Sequence, residues 1–377
     1  MEMIVLKHQC FWQAGFFTPK IMLCIVSLLG LLSGGCPALA WTPAQPFNQF
    51  KTPQQQIDAA DYANLSRASR LIQTGKEAEA LNDLVITLEK NPINILALFH
   101  LGNVYLNLVD TADIPAQRTV FLNQAEEAFE QIVSINDELT LAYFKLGKVA
   151  LLKGNPQAAK DWYFKGLAIE PKNAALLFNL ARVYDQLGEK DAALQYYNRT
   201  IQTDPKFTYA YNNLGLLYEE NKNYVLAERI YKKALKQNSH YNLARLNLGN
   251  LYAAQGKYTL AEQTLQAAQQ IEPDNEWVYY YQGNVALQAK NYQKAAMAYE
   301  KATQLNPDHA ITYYLLAVSL TRLNQMDEAL QAGLHYMQLA PKGEYRQEMS
   351  QLILNVKLSQ SHGLHVNLLP VNNSSVP

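Results

Sequence analysis

The chain has 377 residues, 49% of them apolar, enough for two or three ordinary domains with a sizeable core, which excludes disordered and collagen-like chains. Lys plus Arg number 32 against 33 Asp plus Glu, and only 17% of residues are charged, so no broad basic field exists to condense on nucleic acid or acidic lipid. Twenty-four tyrosines and repeated Ala/Leu/Gln segments point to helices packed through aromatic contacts rather than to sheet.

Residues 21–32 read IMLCIVSLLGLL, a charge-free apolar run behind Lys7 and Lys20, followed by Gly34, Gly35, Pro37 and then Ala38-Leu39-Ala40. This is the pattern of a secretory signal peptide over residues 1–40, with small residues at Ala38 and Ala40 for the peptidase and Trp41 as the new N-terminus. Two alternatives stay open. Ser33-Gly34-Gly35-Cys36 resembles a bacterial lipobox in which Cys36 carries lipid, and an uncleaved membrane helix over residues 21–40 would anchor the chain directly. Each reading exports the body, to periplasm or medium or as an anchored lipoprotein. Cys10, Cys24 and Cys36 are the only cysteines, so nothing beyond residue 36 can form a disulfide or act as a thiol nucleophile.

Residues 41–56, WTPAQPFNQFKTPQQQ, have three prolines and no apolar periodicity and read as a linker. Over residues 57–343 the chain then repeats itself every 34 residues. Pro171, Pro205, Pro273, Pro307 and Pro341 fall on one grid, with Ser239 at the remaining point and Asp137 one period before Pro171. Eight repeats follow: 61–94, 95–139 with an 11-residue insertion, 140–173, 174–207, 208–241, 242–275, 276–309 and 310–343.

Within this register position 8 is always small (Ala68, Gly102, Gly147, Ala181, Gly215, Gly249, Gly283, Ala317), and position 20 is alanine throughout, from Ala80 to Ala329. Small residues at two fixed places let a pair of helices approach closely, and the rings at position 24 (Phe129, Tyr163, Tyr197, Tyr231, Tyr299) are the size to plug the gap. The insertion, residues 109–119 (VDTADIPAQRT), is either a rim loop or a second helix lengthened by up to three turns from Pro115. The first repeat and the last are the weakest copies, with Arg67 at position 7 and Gly333 at position 24. Tyr345, Met349, Leu352, Ile353 and Val356 form the stripe of a capping helix over residues 344–359, and residues 360–377 read as a disordered tail.

The segments LFHLGNVY, YNNLGLLYEENKNYVLAERIYKKAL and LNLGNLYAAQGKYTLAEQTLQAAQQIEP resemble the tetratricopeptide repeat family. The resemblance implies an all-α solenoid, a right-handed superhelix of helix-turn-helix repeats whose inner wall is made by the first helix of each repeat. It also implies that positions 2, 5, 6, 9 and 12 face a peptide-binding groove. Carried onto this sequence, the groove contains Phe99, Phe144, Phe178, Tyr209, Trp277, Tyr280 and Tyr314. Its polar members are Asn103, Asn179, Asn212, Asn213, Asn247, Asn250 and Asn284, with the cations Lys145, Lys148 and Arg182. An amide offers donor and acceptor together, so a line of asparagines can pair with any extended backbone. The line is similar to the asparagine ladder in the repeat region of O-linked N-acetylglucosamine transferase, although asparagine at these positions also fits ordinary family consensus. Lysine at position 5, which the family's carboxylate clamp needs, is absent.

No phosphate loop, dinucleotide fingerprint, nucleophile elbow or metal spacing occurs, and the histidines are scattered, with His100, His240, His309 and His335 in separate repeats and His362 and His365 in the tail. The expectation is a non-enzymatic adaptor without cofactor or metal, binding a protein or peptide partner in an envelope assembly. A structural or self-assembling accessory of pilus, secretion or outer-membrane machinery is the alternative.

Overall fold

A computed structural model describes residues 59–362, with side chains over residues 62–357. The expected signal peptide with Ala38 and Ala40, the lipobox Cys36, the linker and the tail beyond residue 362 lie outside these residues. Seventeen helices and no strand occur among the described residues. They fall into an N-terminal unit that ends at Ala193 and a C-terminal unit that begins at Leu194.

The N-terminal unit runs α1 (Ala59–Gln73), α2 (Glu77–Lys90), α3 (Ile95–Thr111), α4 (Pro115–Ile135), α5 (Thr140–Leu152), α6 (Pro156–Ile169) and α7 (Ala174–Gln186), and reaches into α8 (Lys190–Thr203). The C-terminal unit takes up the rest of α8. It continues with α9 (Thr208–Glu220), α10 (Tyr224–Gln237), α11 (Asn242–Ala254), α12 (Tyr258–Ile271), α13 (Glu276–Gln288), α14 (Tyr292–Leu305), α15 (Ala310–Arg322), α16 (Met326–Leu339) and α17 (Arg346–His362). In each unit the helices pack as successive hairpins against their chain neighbours.

Local chemistry sets the boundaries. Asn94, Asn155, Asn173, Asn223, Asn275 and Asn291 each accept a backbone N–H in the first turn of the helix that follows, a cap worth about 1 kcal/mol. Outside the α3–α4 hairpin, the turn inside each hairpin passes through the left-handed region at repeat position 15: Gly75, Gly154, Gly188 and Gly256 take it freely, whereas Lys222, Lys290 and Asn324 hold φ between 55° and 60° with a Cβ present.

Hairpin packing follows the small-residue register. A Cβ added to Gly147, Gly215 or Gly283 would overlap the ring of Tyr163, Tyr231 or Tyr299, and all three rings are buried. The position 20 alanines are fully buried from Ala80 to Ala329. In these hairpins glycine at position 8 is the socket for the position 24 ring, while the hairpin of Tyr197 buries its ring with Ala181 at that position.

The insertion is absorbed by helix. α3 and α4 have 17 and 21 residues where α5 and α6 have 13 and 14, so both members of the hairpin lengthen and only residues 112–114 separate them. Pro115 begins α4, and Tyr105 stacks on Phe121 at 6.3 Å within the extension. Gly333 also acquires a reason: Met349 of α17 lies against it, and a Cβ there would come within 2.6 Å of the Met349 sulfur. The missing ring makes room for the last helix. Met349, Leu352 and Val356 of α17 are buried.

Candidate functional site

The first-helix positions 2, 5, 6 and 9, where the groove wall is expected, differ in chemistry between the two units. In the N-terminal unit α3, α5 and α7 present Phe99, Phe144 and Phe178, all half-buried. Phe99 meets Phe129 edge-on at 6.0 Å, and Phe144 lies 6.3 Å from Tyr163. The Asn103 amide donates to the Phe99 carbonyl at 2.9 Å and accepts from the Lys145 ammonium at 2.6 Å. Lys145 also stands 5.4 Å from the centre of the Phe99 ring. Burial, with Lys148 adding to it, holds the Lys145 ammonium down at about 8. Lys148 and Arg182 are exposed, the latter 6.0 Å from the Phe178 ring centre. Asn179 is half-buried and donates to the Ala175 carbonyl of its own helix at 2.8 Å. His100 beside Phe99 is pushed down to about 4 by burial and is neutral at pH 7.

In the C-terminal unit the amides turn inward. Asn247 on α11 donates to Asn212 on α9 at 2.7 Å, Asn212 donates to Asn213 at 3.4 Å, and Asn213 donates to the Tyr197 hydroxyl on α8 at 3.2 Å. Asn284 is fully buried and accepts from the Tyr299 hydroxyl at 2.7 Å. Only Asn213 and Asn250 of the predicted amides in this unit are partly open to solvent. The open line of amides expected along this wall is closed at Asn212, Asn247 and Asn284. Asn212 and Asn247 meet between first helices of neighbouring hairpins, whereas Asn284 is bonded within its own hairpin, by Tyr299 of the second helix. Tyr280 is likewise buried, with Trp277 at 5.6 Å and His309 at 5.3 Å edge-on. Tyr314 is covered by α17: its ring stacks on Tyr345 at 4.3 Å and its hydroxyl donates to Glu348 at 2.7 Å.

What remains open on this wall is apolar. At position 2 of three successive first helices stand Tyr209, Leu243 and Trp277, with 50%, 40% and 41% of their surface exposed. Tyr209 leans edge-on against Tyr241 at 5.7 Å and Trp277 against His309 at 4.8 Å. The His309 partner was not singled out from the sequence; its place one residue before position 1 of the next hairpin is the signal that could have found it. Leu216 at position 9 is also exposed. Glu219, further along α9, accepts from the buried Tyr231 hydroxyl, and its carboxyl is raised by burial.

No group of three or more potential ligands stands ready for a metal ion among the described residues, and no described helix is long and apolar enough to cross a membrane. The predicted site positions carry rings and amides and, in the N-terminal unit, the cations Lys145, Lys148 and Arg182.

Models described as tetratricopeptide repeat match residues 141–173, 164–206, 178–241, 218–280 and 280–344. Human protein O-mannosyl-transferase TMTC3 is 30% identical over 118 residues, which are 31% of this chain and 12% of that protein. The chain thus spans only a small part of the length of the curated relatives it matches. Among solved structures, that of the APC/C hetero-tetramer Cut9–Hcn1 aligns with a TM-score of 0.51 at 16% identity, covering 78% of this chain and 55% of that one. PilW, titled a widely conserved type IV pilus biogenesis factor, aligns at 0.50 and 19% identity over 56% of this chain and 98% of its own. These likenesses are of fold.

Proposed function

This chain belongs to the tetratricopeptide repeat family, and we propose that it is a non-enzymatic scaffold that captures a peptide segment of a partner protein on its first-helix walls. Proteins of this family generally mediate protein–protein interactions. The observation that carries the reading is the row of Tyr209, Leu243 and Trp277. Three large apolar side chains stand 40–50% exposed at one register position on three successive first helices, α9, α11 and α13. Tyrosine and tryptophan bury much area while losing few rotamers, which suits them to anchor a bound segment. Asn213 and Asn250 supply amides beside the rings, and the N-terminal wall supplies Asn103 and Asn179 with Phe99, Phe144 and Phe178.

The envelope setting rests on residues 21–32 and on Ala38-Leu39-Ala40. A leader of that pattern delivers the repeats outside the cytoplasmic face, as a free protein after cleavage before Trp41 or as a lipoprotein held at Cys36. Mass spectrometry of the mature N-terminus separates the two: a Trp41 terminus excludes the lipid anchor, and a diacylated Cys36 excludes the soluble form.

Selection of random dodecapeptides displayed on phage against the full chain tests the capture itself. Enrichment is expected, and the double variant Tyr209→Ala/Trp277→Ala should lose most of the pool while melting as the wild type does, each lost anchor costing about 2 kcal/mol of binding. A chain that retains no peptides, or a double variant that retains the same pool, overturns the reading.

A further inference from the structure

The wall of the N-terminal unit carries three cations and no carboxylate to meet them. Along α3, α5 and α7 the only acidic side chains are Asp110 and Asp185, each near the C-terminal end of its helix, and Asp185 is taken by Lys190 at 2.7 Å. Several lysines elsewhere find carboxylates: Lys153 pairs with Glu126, Lys160 with Glu189, Lys232 with Glu228 and Lys294 with Glu262. Lys145 is half-buried, yet its ammonium has an amide and a ring for company, Asn103 at 2.6 Å and Phe99 at 5.4 Å.

Desolvating an ammonium costs free energy that a neutral amide and a ring restore only in part. The fold has already incurred that cost, so an arriving carboxylate meets a cation with little water left to displace. Lys148 on α5, close enough to act on Lys145, and Arg182 on α7 extend the positive charge along the wall.

We propose that the N-terminal wall holds the acidic stretch of an extended peptide, one carboxylate between Lys145 and Lys148 and a second at Arg182, with the Phe144 and Phe178 rings flanking the residues between. Helices of adjacent hairpins lie about 10 Å apart, which is about three residues of extended chain. The preferred segment therefore has two acidic residues separated by about three positions. This deepens the reading of peptide capture and depends on it.

The test is the composition of the dodecapeptide pool retained by the full chain and by Lys148→Gln/Arg182→Gln, both substituted side chains being exposed. Asp and Glu should be enriched at least about threefold over the input in the wild-type pool and fall to the input level in the variant, with unchanged melting by circular dichroism. The same enrichment should vanish for the wild type at about 0.5 M NaCl, a readout that survives if the variant folds poorly. A retained pool with no acidic bias overturns this inference and leaves peptide capture standing, whereas no retained pool removes both. Equal acidic bias in wild type and variant overturns the assignment to Lys148 and Arg182. Binding of a fluorescent single-stranded oligonucleotide that the double variant loses would overturn it in favour of phosphate recognition.

Discussion

At repeat position 6 the N-terminal unit has Lys145, half-buried with no carboxylate beside it, whereas the C-terminal unit has Asn213 and Asn247, joined through Asn212 in a closed relay. Beneath these positions the two units are built alike: Gly147 against Tyr163 in one, Gly215 against Tyr231 in the other. A shared interior and unlike walls teach that the repeat register specifies stacking, while the wall positions are free to specialise. The N-terminal wall is cationic with phenylalanine rings, and the C-terminal wall is neutral with tyrosine, leucine and tryptophan.

The largest expected effect tests the shared interior. Gly147→Ala and Gly215→Ala each push a methyl into a buried ring and should cost about 3 kcal/mol, read from chemical denaturation. Similar losses in both units would support one interior; a tolerant site in either would break the likeness. Asparagine substitution should separate the walls next. Asn247→Ala removes the buried donor to Asn212 and should cost about 2 kcal/mol, while Asn179→Ala, whose amide bonds only its own helix, should cost less than about 0.5 kcal/mol.

Lys145 supplies a pH signature for the N-terminal unit alone. Its folded-state value of about 8 lies below the ordinary lysine value of 10.5, so the unfolded chain binds more protons between those two values and stability contributed here rises with pH across that window. Relative to Lys145→Met, the wild type should gain on the order of 1 kcal/mol between about pH 8 and pH 10. A flat difference would show that Lys145 is solvated like any surface lysine. The smallest effects lie in the hairpin turns. Lys222→Gly and Lys290→Gly relieve a left-handed backbone and should stabilise the C-terminal unit by about 0.5 kcal/mol each, and the reverse change, Gly154→Lys or Gly188→Lys, should cost the N-terminal unit about 1 kcal/mol.

Much of the site was legible in part. The family resemblance implied Tyr209 and Trp277 as wall residues, and they stand exposed; it implied Tyr280, Tyr314, Asn212, Asn247 and Asn284 by the same rule, and they are buried. Position in a repeat tells which way a side chain leaves its helix. It does not tell how near the next helix comes, and that distance separates a ligand-facing amide from a structural one. Tyr314 shows a second reason, since the helix that covers it, α17, lies outside the 34-residue period and brings Tyr345 and Glu348 onto it. The left-handed turn at position 15 could have been read from Gly75, Gly154, Gly188 and Gly256, but the lysines and asparagine in the other repeats hid it.

Residue order was sufficient for the helical class, the register and the pairing of small residues with rings, because these follow from local periodicity and side-chain volume repeated many times along the chain. Folding in three dimensions settled which wall residues stay open, how the insertion was shared between α3 and α4, and why Lys145 carries a desolvated charge. The open wall residues and the Lys145 charge depend on neighbours 30 or more residues away in sequence, as in the Asn212–Asn247, Tyr314–Glu348 and Lys145–Asn103 bonds, and burial and electrostatics are set by such neighbours rather than by a residue's own place in the repeat.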